Sequence, residues 1–266
     1  MKLTVNQVAG LTKILQIFNA VLNIYFSAFF LSEINRGLFY AISSIVAVQA
    51  IFELGFSNII LQYVSKYSKS DFSFNSIIKF NHKIYGFYKF VVKLYSRLAI
   101  LLFIVINILS YYFFFDVAFN LELIVSIILL GLSTSISFIF IPNLSFIEAL
   151  GDQLESWKFR LLQVSNNIVL LILFYNLNLN LLSYSLSLLL STIITLSLFL
   201  KKYFYVLFEI YKSKLKTDFN YRTEIMPYQF KIAISWISGY FIYQIINPLV
   251  FKYQGPILAG KYGITL

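Results

Sequence analysis

Gln229, Ala233, Trp236, Tyr240, Gln244 and Asn247 recur every three or four residues along a long apolar run that starts near Ile225. That spacing puts them on one face of a helix. Amides offer donors and acceptors, and aromatic faces stack on the apolar faces of sugar rings, so the mix suits a sliding polar ligand. The run is long enough to cross a bilayer, which takes about 20 apolar residues. A membrane helix showing such a face to lipid would be penalised, so the face must meet protein or a wet cavity. A second stripe, Gln16, Asn19, Asn23 and Ser27, lies on the first apolar run. It reads either as inter-helix hydrogen bonding, worth about 0.6–2 kcal/mol per contact, or as a cavity wall. Trp236 and Tyr240 likewise either line a passage or pack between helices, and Lys231 either meets a ligand or snorkels to headgroups. Glu53, inside the second apolar run, is a carboxylate where insertion costs roughly 2.5–3.5 kcal/mol. It reads as half of an ion pair or as an ion- or proton-coupling group.

Other chemistry lacks its residues. There is no Gly-Lys-Ser/Thr phosphate loop, no His-Glu-x-x-His and no Gly-x-Ser-x-Gly. Cysteine is absent, so disulfides and thiolate metal sites are excluded. The single histidine, His82, is too little for a metal centre. The sequence therefore predicts no catalytic site, no metal, no cofactor and no enzyme.

The elements that must position these residues are membrane helices. The chain is 59% hydrophobic and 12% charged, with a mean hydropathy of +0.80. Soluble domains average about 45–50% apolar and about 25% charged. A net charge of +10 is read as basic cytoplasmic loops rather than nucleic-acid binding. Spans are expected at about Leu11–Leu31, Leu38–Gln62, Leu98–Phe115, Leu123–Ile141, Phe159–Tyr175 and Leu181–Leu200, with a seventh helix over Pro227–Phe251. Pro227 suits its first turn, and Pro142 is expected to break or end the fourth. The lysine-rich stretch Lys66–Arg97 reads as an interfacial helix leading into span three, with about 1 kcal/mol of attraction per base near anionic lipid. A further amphipathic helix is expected across Phe204–Tyr211. No cleavable signal pattern precedes the first run, which is read as a retained span. Basic loops after spans two and six, and sparse links after spans one, three and five, predict a cytoplasmic N-terminus.

Several stretches carry a family resemblance. Lys231 with Trp236-Ile237-Ser238-Gly239-Tyr240, then Asn247-Pro248, Gly255-Pro256 and Ala259-Gly260, are similar to the seventh membrane helix of bacterial O-antigen and capsule flippases. These belong to the multidrug/oligosaccharidyl-lipid/polysaccharide exporter superfamily. The turn Ser32–Gly37 and the segment Glu148-Ala149-Leu150-Gly151 followed by Arg160 and Gln163 resemble the family too, although the family more often places Gly directly after the acid. The resemblance implies an all-α polytopic fold of the MATE-like type with two six-helix bundles around a central cavity. Residues 1–203 would be the first bundle, 204–224 a cytoplasmic connection, and 225–266 the start of the second, holding helix seven and the beginning of eight. A truncated reading frame or a fragment is then the expectation. The implied activity is flipping of polyprenyl-pyrophosphate-linked oligosaccharides from the inner to the outer leaflet of the bacterial inner membrane, for O-antigen, lipopolysaccharide or capsule synthesis. Partners would be the lipid-linked oligosaccharide, membrane lipids and other polysaccharide-assembly membrane proteins. The substrate would meet Gln16, Asn23, Trp236, Tyr240, Gln244 and Asn247, with Arg160 and Lys231 on the pyrophosphate and Glu53 as the coupling group. A membrane polysaccharide polymerase or another enzyme of the same pathway is the alternative. The polymerase's expected large outer loop has no counterpart among these short links. The sequence also echoes itself: Gly37-Leu38-Phe39-Tyr40 follows span one, and Gly260-Lys261-Tyr262-Gly263 follows span seven, as in repeat-built transporters.

Overall fold

The computed structural model describes residues 4–68, 82–115, 121–213 and 219–265. Every regular element among them is a helix. Chain order is α1 (Val5–Phe30), α2 (Glu33–Val46), α3 (Gln49–Glu53), α4 (Phe56–Tyr67), α5 (His82–Phe114), α6 (Leu121–Ala149), α7 (Gln153–Asn176), α8 (Leu181–Lys212), α9 (Tyr221–Glu224), α10 (Met226–Tyr243), α11 (Ile246–Gln254) and α12 (Pro256–Thr265). Six stretches are long and apolar enough to cross a membrane: α1, α2–α4 taken together, α5, α6, α8, and α10–α11 taken together. Their outer faces are oily, as with Ile14, Ile17 and Val21 on α1 and Ile100, Ile104 and Ile108 on α5, all exposed. Exposed apolar faces of that extent are matched to lipid rather than water.

α7 is the expected fifth span that falls outside those six. Its 24 residues reach about 36 Å, but polar groups dilute its apolar face. Gln163 donates to Thr192 at 3.3 Å and Asn167 to Ser187 at 3.4 Å, both on α8. Ser137 on α6 and Thr192 are 3.2 Å apart. These bonds pair amide nitrogens that lipid could not, and α7 sits between α1 and α8.

Polar contacts near the helix termini mark two ends. At the lysine-rich end Lys83 and Tyr63 both reach Glu224, Lys89 reaches the Ser213 carbonyl, and Lys202 pairs with Glu155. At the opposite end Glu122 accepts from the Leu181 amide at 3.1 Å, and Lys252 lies 3.2 Å from the Tyr112 ring centroid. Arg36, also there, donates to the carbonyls of Ser27, Ala28 and Leu31. It thereby closes the α1 C-terminus, where cations and donors are favoured.

Several expectations need correction. The second span is not one helix: Leu54 (φ 48) and Gly55 (φ 68) are left-handed and separate α3 from α4. Among the described residues no separate interfacial helix precedes span three: α5 is continuous from His82, and Ile84, Phe87, Tyr88 and Val91 are buried in protein, while residues 69–81 of the expected stretch lie outside the described residues. Phe87 stacks against Phe56 and Tyr88 packs at a tilt against Phe146, so the apolar face is used inside the bundle. Pro142 neither breaks nor ends α6, which runs seven residues further, to Ala149. Asn143 beside it donates to Ile139 and accepts from Tyr88, both at 2.8 Å, and so braces the turn that proline weakens. The bend between α6 and α7 is confined to Leu150, Gly151 (φ 115) and Asp152. Residues 204–212 are no separate connection, since α8 runs to Lys212. The seventh helix is interrupted at Gln244–Ile245, between α10 and α11. Pro248 explains the position: it has no amide for the Gln244 carbonyl, and its ring crowds that oxygen. Lys69, Asp71, Lys79, Asp116, Asn120, Lys214 and Lys216 lie outside the described residues.

Candidate functional site: two cavities on one seam

The seam runs between α2–α4 and α9–α12. At the end opposite the lysine-rich one, α2 and α12 cross in close contact. A side-chain carbon on Gly37 would overlap the Pro256 carbonyl, and one on Gly260 would lie 3.2 Å from the Gly37 nitrogen and 3.6 Å from the Glu33 carbonyl oxygen. One on Gly263 would overlap the Tyr40 ring. Gly37 thus meets the residue four before Gly260, and Gly260 meets the residue four before Gly37. The sequence echo is therefore also a reciprocal contact in space.

Along the seam toward the lysine-rich end lies a cavity of about 340 Å³, lined by Ala47, Ala50, Ser235, Trp236, Gly239, Tyr240, Tyr243 and Gln244. Three of the sequence-derived residues, Trp236, Tyr240 and Gln244, meet here. Asn247 does not line it. It is buried, and its Nδ2 donates to the Ala259 carbonyl at 3.2 Å, tying α11 to α12. Gln16 and Asn23 are carried elsewhere by α1, which packs chiefly on α7. Gln16 is exposed, while Asn23 donates to the Asn19 carbonyl one turn earlier at 2.8 Å. Gly239 has no side chain for periodicity to mark, yet its Cβ position is open for 4 Å around. A helix-interior glycine costs about 0.5–1 kcal/mol against alanine, which is the signal that could have marked it. Ala47, Ala50 and Tyr243 gave no sequence signal.

Beyond this cavity, a side-chain carbon on Gly55 would overlap Ile232 and lie 2.7 Å from Trp236 Nε1. Only glycine takes this left-handed position without strain. Its neighbour Leu54 holds the same conformation without that freedom, at a cost of order 1–3 kcal/mol. Glu53 ends α3 just before it and accepts a 2.5 Å hydrogen bond from Ser57. The expected basic partner is not there: among the described residues no lysine or arginine is within ion-pair distance of Glu53.

A second cavity, of about 430 Å³, follows at the lysine-rich end between α4, α9 and the start of α10. Gln62, Tyr63, Lys66, Tyr67, Glu224 and Tyr228 are among its walls. Glu224 accepts from Tyr63 at 2.8 Å and from Lys83 at 3.1 Å. Burial pushes its carboxyl up, but these bonds outweigh that and hold it below the ordinary range. The latch is therefore made above that range and lost as pH falls through the lowered value. Lys231 is exposed on α10, one turn from Tyr228 and from Ser235, which line the two cavities. Arg160 lies on neither cavity. It donates to Glu148 at 2.6 Å and stacks 4.8 Å from the Trp157 ring, bracing the α6–α7 bend.

These features define a multi-pass helical membrane protein with a broken-helix seam and two cavities along it. Comparison with known protein families, characterised proteins and solved structures finds no match.

Proposed function

We propose that this chain belongs to a flippase for polyprenyl-pyrophosphate-linked oligosaccharides in a bacterial inner membrane, with its N-terminus in the cytoplasm. The reading rests mainly on one observation. The cavity among Trp236, Tyr240, Tyr243 and Gln244 offers aromatic faces and an amide at a broken membrane helix. Broken helices beside a cavity are where transporters place polar ligands. Sugars fit those walls, and Lys66 and Lys231 offer charge for a phosphate near the lysine-rich end. Glu53 fits a coupling role, with the Ser57 hydroxyl beside it and, among the described residues, no lysine or arginine at ion-pair distance.

Deletion of the gene in its native host is expected to stop surface glycan and to leave lipid-linked oligosaccharide facing the cytoplasm. Normal export after deletion would overturn the proposal. Export of single repeat units without polymer would favour the polymerase instead. Orientation is separately testable, because the chain has no cysteine. In intact cells an impermeant maleimide should label Asn178→Cys and spare Lys212→Cys. The reverse pattern would invert the topology.

A further inference from the structure

Between the two larger cavities on the seam, α10 lies on the Gly55 turn. Read along α2–α4, the order is Ala47 and Ala50, then Gly55, then Gln62 to Tyr67. Read backwards along α10, it is Gln244, Tyr243, Tyr240 and Gly239, then Trp236 and Ser235 at the cavity's near edge, then Ile232, then Tyr228. The two lists run side by side, so the Gly55 contact separates the inner cavity from the one at the lysine-rich end. We infer that the two cavities are parts of one path, and that Trp236 lying on Gly55 is the closure between them.

The glycine contacts at Gly37 and at Gly55 differ in kind. Gly37 meets backbone of α12, so that end can part only if whole helices move. Gly55 meets the side chains of Ile232 and Trp236. A side chain can turn between rotamers while its helix stays in place, on a far shorter timescale than helix motion. Trp236 is only half-buried and itself lines the inner cavity, so there is open volume for the indole to turn into. Gly55 makes the closure tight, since any side chain there would hold the indole off the backbone. The left-handed pair Leu54–Gly55 is the strained turn that presents this bare backbone. The closure deepens the transport reading by naming the barrier a substrate would have to pass from the lysine-rich end.

The test uses the full chain with a single cysteine, Ala50→Cys, on the wall of the inner cavity. Its rate of reaction with an impermeant maleimide is measured from each membrane side in turn, using intact cells and inverted vesicles. The reference side is the one that labels Lys212→Cys. Adding Trp236→Ala is expected to raise labelling from that side at least tenfold and to leave the other side unchanged, while Trp236→Phe stays within about twofold of the parent. No increase, or an equal increase from both sides, overturns the closure. If Trp236→Ala does not accumulate in the membrane, Ile232→Ala opens the same contact and is held to the same criterion. No glycan enters this assay. Failure here would leave the flippase reading standing, and an unaffected glycan in the gene deletion would leave the closure standing.

Discussion

Glycan export is expected to fall at least tenfold when Gly239 is replaced by phenylalanine, and less when it is replaced by leucine, with the amount of protein in the membrane unchanged. Gly239 lies in α10, and a Cβ there would have nothing within 4 Å, because it points into the inner cavity of about 340 Å³. The new side chain therefore fills empty volume instead of displacing neighbours. Helix propensity favours the change, since glycine is about 0.8–1 kcal/mol worse than alanine in a helix interior. Loss of export would then come from occupied space and not from unfolding. Alanine at the same position should be close to neutral, giving a series graded by volume. The measurement is surface glycan against membrane abundance in the native host, with each variant on the chromosome. Wild-type export by the phenylalanine variant would remove the inner cavity from the substrate path.

The part of this site that was legible in the sequence is the part set by one helix. Trp236, Tyr240 and Gln244 share a face through the 3.6-residue period, and that face does line a cavity. Periodicity names a face but not the neighbour it meets. The α1 stripe was read by the same rule, and its helix packs mainly on α7, away from α10. Arg160 shows the same limit: its chain position matched a ligand role, while its partner, Glu148, lies 12 residues back across a bend. Helix breaks were the least legible. Pro142 carries the strongest local signal, yet α6 continues through it, with Asn143 bonded to Ile139 and Tyr88 beside the weakened turn. Pro248 does disrupt its helix, but four residues earlier, at the carbonyl it cannot satisfy. The Leu54–Gly55 break had little local signature, since one glycine in an apolar run is ordinary. It exists because α10 approaches Gly55 from far along the chain.

That long-range approach has its strictest form at Gly37, where the second large effect is expected. Gly37→Leu should displace α12 from α2 and lower the stability of the protein by about 1–3 kcal/mol or more. The argument is steric. A side-chain carbon on Gly37 would occupy the space of the Pro256 carbonyl, and backbone cannot rotate aside as a side chain can. Gly260 allows no retreat, because its own Cβ position is 3.2 Å from the Gly37 nitrogen and 3.5 Å from its Cα. Relief requires one whole helix to shift, and with it Asn247, whose amide holds the Ala259 carbonyl. The control is Gly10→Leu on α1, where a Cβ would meet nothing within 4 Å. It should change stability by less than about 0.5 kcal/mol, as surface substitutions usually do. Thermal midpoints of both variants in the same detergent decide the matter. Equal midpoints would mean that α2 and α12 are not pressed together at these glycines, and the reciprocal contact across the echo would be lost with them.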